Sequence, residues 1–304
     1  MSPLKFVPTI PSLECVQHLE GREIYHLPEH KNHQLVLETD HIGTHGITHT
    51  NIVPGKGEIL TALKVFLAKH VLKELRNDLV AYGTTIHEYL PPGHYNKDIH
   101  LRGIVTMKLE KIPVRFTYRN RMAGKLWKKY YSNGEDPHGL MLPRDLKLMS
   151  PFDAAVFTPT QMIEEDAPLL TSEIERQYPE AFWLTRAAYL RGRAFALSRG
   201  IEIIDGRFGV ATVNGTAILT GDYLTPDVSR YAEAELITIG EDPPHLDEQY
   251  LRDEAKAIWR LKKKGKHPLE LNAIICAGIV HRYGKLAEHL MQTKMSDFQR
   301  SNML

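Results

Sequence analysis

The sequence predicts an α+β fold, in which strand-forming and helix-forming stretches lie largely apart along the chain. Alternating apolar patterns dominate the N-terminal part, whereas the C-terminal part ends in two long helical patterns. An Asn214-Gly215 pair between two alternating runs adds a β-hairpin late in the chain. Strands do not alternate regularly with helices, so we do not expect a parallel sheet built from βαβ units.

The N-terminal part is expected to hold several strands and one long amphipathic helix. Residues 39–58 are rich in glycine, histidine and threonine and show no period, which predicts a loop. A strand across Pro113 would favour an edge position, because proline has no N–H to donate. The predicted strands are the two halves of Tyr25–Thr39, then Thr84–Leu90 and Ile104–Tyr118, and the predicted helix is Glu58–Leu75.

The C-terminal part is expected to begin with a short helix and to end with two longer ones. A proline-rich stretch, Ser132–Thr160, predicts a loop-dominated connection. Gly200 follows a helical pattern at the position where glycine commonly ends a helix. The predicted helices are Met122–Tyr131, Pro179–Ser198, His245–Lys264 and Pro268–Met291.

Composition and charge narrow the classes of partner. Lys and Arg number 38 against 37 Asp and Glu, for a net charge of +1, so we expect neither a nucleic acid nor a membrane as partner. The two cysteines, Cys15 and Cys276, lie far apart in the sequence and suggest neither a disulfide nor zinc. No apolar run reaches the ~18 residues of a membrane helix, and we see no signal peptide. We therefore expect a cytoplasmic protein, with homo-oligomerisation left open.

The hairpin around Asn214-Gly215 is the first candidate for a binding surface. A two-residue type I′ turn pairs residues whose numbers sum to 429, which places Gly209 opposite Thr220, Arg207 opposite Asp222, and Asp205 opposite Leu224. Side-chain alternation then puts both charge signs on one face of the sheet. Such a face suits a polar ligand, or it is a solvated face with one weak ion pair.

Two segments carry residue types suited to phosphate and Mg²⁺. Arg119, Arg121 and Lys125 end a strand and enter a helix, and a helix N-terminus with arginines attracts anions. The alternative is a solvated basic strand end. Asp205 and Asp222 lie on the two hairpin strands, and Mg²⁺ commonly takes one or two protein carboxylates.

Two further segments give weaker signals. The glycines of residues 53–58 suit either a phosphate-binding loop or a cap on the following helix. His41, His45 and His49 recur every four residues, a metal-binding spacing on a helix, but Gly43 and Gly46 disfavour a helix there. General acid–base chemistry by a histidine is the better functional interpretation.

Seven motifs in one order resemble the SAICAR synthetase (phosphoribosylaminoimidazole-succinocarboxamide synthase) family, over about Gly21 to Asp253, as a divergent member. They are TDHI, VPGKGEILTAL, RNRMAGKLW, FTPT, GIEIIDGRF, GDYLTPDVSRY and LDEQYLRD. The resemblance implies an α+β fold with ATP-grasp-like or kinase-like features. It implies an antiparallel, nucleotide-side lobe over residues 1–118. Residues 119–304 would form a mixed α+β lobe with the ribonucleotide pocket and the C-terminal helices.

The resemblance also implies a reaction and a set of site residues. ATP and Mg²⁺ activate a carboxylate on an aminoimidazole ribonucleotide, which aspartate then attacks to form an amide. The implied ribonucleotide contacts are Arg119, Arg207, Ser229 and Arg230, with Asp205 as a catalytic residue against the imidazole, Arg22 on the ATP side and Asp222 on the metal side. The basic strand end adds Arg121 and Lys125 as candidate substrate contacts. Arg207 replaces a family lysine, and Lys125 replaces a family serine.

The departures from the family pattern fall mostly on its ATP and amino-acid sides. Glu20 occupies a position in the family's phosphate-binding loop, Met162 replaces a family lysine, and Gly209 replaces a metal-binding glutamate of the family. Residues 43–46 replace the aspartate-side loop. Phosphoryl transfer depends on such charges and ligands, so the sequence leaves use of ATP and Mg²⁺ open, including use of neither.

The sequence leaves three candidate functions. The first is the family's ATP-dependent ligation on a 5′-phosphorylated imidazole or purine-like ribonucleotide. The second is an ATP-independent condensation or ring closure on an aminoimidazole carboxamide ribonucleotide, as in coformycin-type purine analogues, with His41 or His45 as acid and base. The third is a non-catalytic ribonucleotide-binding protein.

Overall fold

The computed structural model describes residues 10, 13–19, 21–93, 96–162, 166–261 and 266–304. The chain forms two compact units, each with its own sheet. Unit 1 comprises the described residues up to Phe66 together with Leu79–Lys108 and Leu246–Leu304, and unit 2 comprises Leu67–Asp78 and Leu109–His245.

The strands confirm a mainly antiparallel, mixed α+β architecture. In unit 1 they are β1 (Cys15–Leu19), β2 (Arg22–His26), β3 (His33–Glu38), β4 (His41–Thr44), β5 (Ile47–Ile52), β6 (Leu79–Tyr82) and β7 (Gly103–Met107). In unit 2 they are β8 (Val114–Arg121), β9 (Pro151–Phe157), β10 (Thr160–Gln161), β11 (Ile201–Val213), β12 (Thr216–Thr220) and β13 (Ser229–Glu233).

The helices follow the predicted order, with additional short ones. They are α1 (Lys56–Phe66), α2 (Lys97–Arg102), α3 (Gly124–Asn133), α4 (Thr171–Gln177), α5 (Pro179–Leu197), α6 (Gln249–Leu261), α7 (Ala273–Met291) and α8 (Met295–Asn302). The predicted C-terminal helices are confirmed as α6 and α7, although the predicted end at Lys264 lies outside the described residues. Within the described part of the chain, no helix is long and apolar enough to cross a membrane.

Unit 1 is built on a five-stranded sheet in the order β1-β2-β3-β7-β6. Alternation along β3 buries Leu35 and Leu37 in a core shared with Tyr25 and Val105. Helix α1 is buried along almost its whole length, and one π-helical turn, Leu67–Val71, continues it. The α1 helix therefore ends earlier than the predicted Leu75.

Two predictions in unit 1 are wrong. Residues 39–58 are not a loop, because His45 (φ 57°) and Gly46 (φ 74°) form a two-residue turn between β4 and β5. Both central residues have positive φ, as a type I′ turn requires, and histidine enters that region more readily than most residues. The predicted strand Thr84–Leu90 is instead a 3₁₀ helix over Gly83–Glu88, started by hydrogen bonds of the Thr85 hydroxyl with Tyr82.

The predicted domain boundary at residue 118 does not coincide with the division of the chain into two units. It falls inside β8, and the C-terminal helices belong to unit 1 rather than to the lobe predicted over residues 119–304. The physical reason is apolar burial: helices α7 and α8 pack on α1, with the Phe66 and Phe298 rings 5.8 Å apart.

Unit 2 is organised around the long strand β11. The sheet order is β10-β8-β11-β12, and β13 and β9 add to β11 and β8. The predicted strand Ile104–Tyr118 is two strands, because the chain leaves one sheet after β7 and enters the other at β8. Pro113 immediately precedes β8, which is internal to its sheet rather than at an edge.

The predicted hairpin is confirmed, but its register holds only near the turn. Asn214 (φ 50°) and Gly215 (φ 79°) form the turn, and Gly209 lies opposite Thr220. Gly221 (φ 73°) then ends the β12 strand, so the pairs predicted for Arg207 with Asp222 and for Asp205 with Leu224 do not form. Strand β13 takes that place along β11.

Candidate active site

The centre of the candidate site is Asp205, which lies between two arginines from neighbouring strands. Asp205 is directly opposite Arg119 on β8 and opposite Arg230 on β13. Both guanidinium groups donate to the same carboxylate oxygen, Oδ2, and the Arg230 Nη1 distance is 2.7 Å. Arg119 also donates through Nε to the Thr158 hydroxyl at 3.0 Å. The three charged side chains form one hydrogen-bonded cluster.

Burial and charge act in opposite directions on the central carboxylate. Burial raises the pKa of Asp205, while Arg230, Arg119, Arg207 and His245 lower it, and the net pKa lies below the ordinary value. Asp205 is therefore ionised at neutral pH. Two guanidinium groups against one carboxylate leave this buried cluster with one excess positive charge, which suits an anionic ligand.

The Arg230 guanidinium lies against the first residue of helix α3. A Cβ placed on Gly124 would lie 2.3 Å from Arg230 Nη1, so only glycine leaves room for the guanidinium there. Gly124 also has φ 61°, a region that favours glycine. An arginine is thus held beside a helix N-terminus, and both attract a phosphate group.

A second charged group surrounds Asp166 in the same unit. Lys125 Nζ lies 2.9 Å and Arg115 Nε 3.1 Å from its carboxylate oxygens. Burial raises the pKa of Asp166, but Lys125, Arg115 and Arg207 lower it, with a net decrease. Arg207 itself donates to the Asp227 carbonyl oxygen at 3.3 Å. The predicted substrate residues Lys125 and Arg207 therefore both lie near Asp166.

Two other predicted substrate residues do not join the Asp205 cluster. The pairing of β8 with β9 shifts register between Arg119 and Arg121, and the Arg121 side chain contacts Glu202 and the Met149 carbonyl oxygen. Alternation along β13 directs the Ser229 side chain to the face opposite Arg230. The Ser229 hydroxyl is buried there and makes no hydrogen bond within the described residues.

The metal-side residues do not form the set that the resemblance implies. Asp222 is half-buried after the end of β12. At the family's glutamate position, a Cβ on Gly209 would lie 2.9 Å from the Thr220 carbonyl oxygen, so the strand approach leaves no room for a side chain. The residues present thus lack one of the implied Mg²⁺ ligands.

The implied ATP-side residues likewise differ from the family set. Met162 offers a thioether in place of the lysine ammonium, Arg22 lies 3.2 Å from the buried Glu38, and Glu20 lies outside the described residues. The ATP-side residues of this chain therefore do not match the set that the resemblance implies.

The three spaced histidines lie on the β4–β5 hairpin of unit 1. His41 begins β4 and His45 occupies the exposed turn, 5.7 Å from the Trp259 ring. His49 is buried, accepts a hydrogen bond from the Leu269 N–H at Nδ1, and has its pKa lowered by burial. Their ring nitrogens form no metal-ligand group among the described residues.

The glycine-containing loop of residues 53–58 serves as a helix cap. The Gly57 N–H donates to Asp40 Oδ1 at 3.0 Å, and Arg102 binds both Asp40 oxygens. Arg102 also contacts Glu58 at 3.1 Å. These contacts support the capping interpretation of this loop, because the Gly57 N–H is already used by a carboxylate.

Two residues that contact or influence the Asp205 cluster were not among the site residues predicted from the sequence. Thr158 belongs to the FTPT motif, so its signal was present, but its bond to Arg119 required the fold. His245 is buried beside the C-terminal end of unit 2 and contributes to the pKa of Asp205. No motif contained His245, and only pairing of residue 245 with Ala232 brings it to the sheet.

Comparison with known proteins gives consistent results. A family profile described as SAICAR synthetase matches residues 20–268. Phosphoribosylaminoimidazole-succinocarboxamide synthase of Saccharomyces cerevisiae is 31% identical over 238 residues, covering 72% of this chain and 76% of the relative. The enzyme of the same name from Desulfotalea psychrophila is 27% identical over 274 residues, covering 87% and 91% of the two chains.

Solved structures show the same similarity. SAICAR synthase from S. cerevisiae complexed with SAICAR matches with a TM-score of 0.83 at 26% identity, covering 95% of this chain and 99% of that one. A type-2 SAICAR synthetase in complex with ADP matches with a TM-score of 0.60 at 16% identity, over 91% and 98% of the two chains, a similarity of fold alone.

Proposed function

The chain belongs to the SAICAR synthetase family of C–N bond-forming enzymes, and we propose that its substrate is a 5′-phosphorylated aminoimidazole ribonucleotide. The proposal places the ribonucleotide in unit 2, at the cluster of Arg119, Asp205 and Arg230. The family reaction, ATP-dependent amide ligation with aspartate, is the reference against which this enzyme is to be tested.

The observation that carries the proposal is the arrangement of donors and acceptors around Asp205. Both arginines use Asp205 Oδ2, and within the described residues no hydrogen bond reaches Oδ1. Arg230 uses Nη1 for this contact, and no described residue accepts from its Nη2. Oδ1 is thus free to accept from an amino group, and Nη2 is free to donate to a phosphate or carboxylate oxygen.

These residues support binding and orientation of a substrate. The lowered pKa keeps Asp205 ionised, so Oδ1 accepts the N–H of an aminoimidazole and fixes the ring orientation. Arg230 and the N-terminus of α3 together offer cationic and N–H donors to the 5′-phosphate. Arg119 is held by Asp205 and Thr158, so the carboxylate keeps its position when a ligand arrives.

A second candidate is C–N bond formation on the same ribonucleotide without ATP. The observation in its favour is Gly209, where the strand approach excludes the side chain that the family uses for its metal. In this version His41 or His45 acts as acid and base on a condensation or ring closure.

The test combines binding and turnover. Calorimetry with SAICAR should show stoichiometric binding to the full chain. Turnover assays then separate the candidates. Each assay contains aspartate and an aminoimidazole carboxylate or carboxamide ribonucleotide, and it is run once with ATP–Mg²⁺ and once without ATP and Mg²⁺. Amide formation only with ATP–Mg²⁺ supports ligation, whereas product in its absence supports the second candidate. Binding with no product from either ribonucleotide indicates a non-catalytic binding protein, and absence of binding contradicts the substrate proposal.

A further inference from the structure

Three side chains with metal-binding atoms converge on the β1–β2 hairpin of unit 1, a region with no part in the proposed ribonucleotide site. Cys15 Sγ lies 3.7 Å from His18 Nδ1, and His18 Nδ1 lies 3.3 Å from Glu23 Oε1. The three ligand atoms lie within 4.8 Å of one another, a grouping found nowhere else among the described residues.

A β-bulge brings the cysteine and the histidine to the same face. Residues 15 and 18 are separated by an odd number of positions and would normally point to opposite sides of a strand. The pairing with β2 shifts between Cys15 and Gln17, which adds one residue, Val16, and reverses the direction of the Cys15 side chain. His18 is directly opposite Glu23, which supplies the third ligand from the neighbouring strand.

The carboxylate ligand is oriented by a buried phenol. Tyr25 donates to Glu23 Oε2 at 2.5 Å, which leaves Oε1 toward His18. Hydrogen bonds of this kind commonly fix the ligands of metal sites.

Two of the three spacings match the edges of a tetrahedral coordination shell. Zn–S, Zn–N and Zn–O bonds of about 2.3, 2.1 and 2.1 Å at tetrahedral angles separate S from N by about 3.6 Å and N from O by about 3.4 Å. The observed separations, 3.7 and 3.3 Å, agree with both values. A mixed set of sulfur, nitrogen and oxygen ligands suits Zn²⁺ better than Mg²⁺ or Ca²⁺.

We propose that Cys15, His18 and Glu23 bind one Zn²⁺ ion, with a water molecule as the fourth ligand. The His18 side chain is 72% exposed, so the ion has direct access from solvent and room for the water. On binding, the Cys15 thiol loses its proton to solvent, and the thiolate donates an electron pair to the metal. Because β1 is the edge strand of its sheet, the ion joins that edge to β2.

The test uses the full chain after treatment with a chelator. Calorimetric titration with Zn²⁺ should give one ion per chain, and Co²⁺ in its place should give a thiolate-to-metal charge-transfer band. Cys15→Ser should abolish that band, and His18→Gln and Glu23→Gln should each lower Zn²⁺ affinity tenfold or more. Tyr25→Phe should lower the affinity about tenfold with the ligands intact.

Matched controls are present in the same chain. Cys276→Ser and His281→Gln replace the same residue types outside the hairpin and should leave affinity and the band unchanged. Circular dichroism confirms that each variant is folded. The proposal is overturned if Zn²⁺ does not bind, if Cys15→Ser keeps the band, or if the control variants lose it equally.

Discussion

Asp205 shows how one residue combines contacts that lie far apart in the sequence. Its two arginine partners are 86 and 25 positions away, and each comes from a different neighbouring strand. A buried carboxylate needs a cationic partner, because an unpaired buried charge is costly.

Replacing Arg230 by alanine should weaken SAICAR binding by about 2 kcal/mol, because a charge-assisted hydrogen bond to an anionic ligand is lost. Isothermal titration calorimetry measures the change. Arg191→Ala is the matched control, since Arg191 pairs with Glu74 in the same unit and should leave affinity unchanged. Equal affinity for the wild type and Arg230→Ala would remove Arg230 from the proposed site.

Replacing Asp205 by asparagine should change how stability depends on pH. The ordinary pKa of this carboxyl is 3.8, and the folded protein holds it lower. Above pH 3.8 the ion pairs therefore contribute fully, and their contribution is lost as the pH falls below 3.8 toward the folded pKa. The difference in unfolding free energy between the wild type and Asp205→Asn should be about 3–5 kcal/mol near neutrality.

The difference in unfolding free energy between the wild type and Asp205→Asn should decrease on acidification. Urea unfolding at a series of pH values measures this change. Asp297→Asn, on helix α8 outside the cluster, is the control. A difference that grows as the pH falls would contradict the lowered pKa of Asp205.

His45→Asn should separate a catalytic role of this histidine from its role in the turn. At φ 57°, alanine would add backbone strain, whereas asparagine adopts this region readily. We expect an unchanged melting temperature and loss of turnover if His45 is the acid–base group of the second candidate. Steady-state kinetics and a thermal melt measure both, and full turnover in the variant would exclude that role.

At the level of secondary-structure elements, the register between two strands determines which side chain a single position can accommodate. Gly209 pairs with Thr220 in the part of the hairpin that the turn arithmetic places correctly. The close approach of the two backbones there explains why a side chain is excluded, which neither propensity nor spacing indicates. The same hairpin diverges after Gly221, so β13 rather than β12 supplies Arg230 to Asp205.

Gly209→Glu should destabilise the protein by about 1–3 kcal/mol, because its Cβ would lie 2.9 Å from the Thr220 carbonyl oxygen. It should also fail to create Mg²⁺ affinity, as measured by calorimetry. Val213→Glu, at an exposed position near the end of the same strand, is the control for an added carboxylate and should be nearly neutral. Wild-type stability in Gly209→Glu would show that the strands separate easily.

At the scale of the whole molecule, the two units have different relations to the proposed ligand. Every residue of the proposed ribonucleotide cluster lies in unit 2, while the β4–β5 histidines and the Cys15 group lie in unit 1. Each unit has its own sheet, so ligand-induced protection is expected to appear first in the sheet that carries the contacts.

Hydrogen exchange with and without SAICAR tests this expectation. Protection should increase in β8, β13 and the first turn of α3, which carry Arg119, Arg230 and Gly124. The β1–β2 hairpin is an internal reference, since its protection should respond to Zn²⁺ rather than to SAICAR. Protection confined to unit 1 on addition of SAICAR would contradict a ribonucleotide site in unit 2.

The sequence by itself determined the fold class, the family and the features that depend on neighbouring residues. The Asn214-Gly215 turn, the start of α5 and the two long C-terminal helices follow from local backbone preferences and apolar periods. Ordered motifs placed Arg119, Asp205 and Arg230 among the candidate residues. The 39–58 hairpin was missed because its turn uses His45-Gly46 rather than the more usual Asn-Gly.

Only the tertiary structure decided which of these residues meet. A bulge in β1 changes the direction of the Cys15 side chain, and Gly221 ends a register that simple arithmetic extends too far. The C-terminal helices join unit 1 because their apolar faces pack on α1. Such outcomes depend on pairing and burial between segments distant in sequence, and no local pattern encodes those distances.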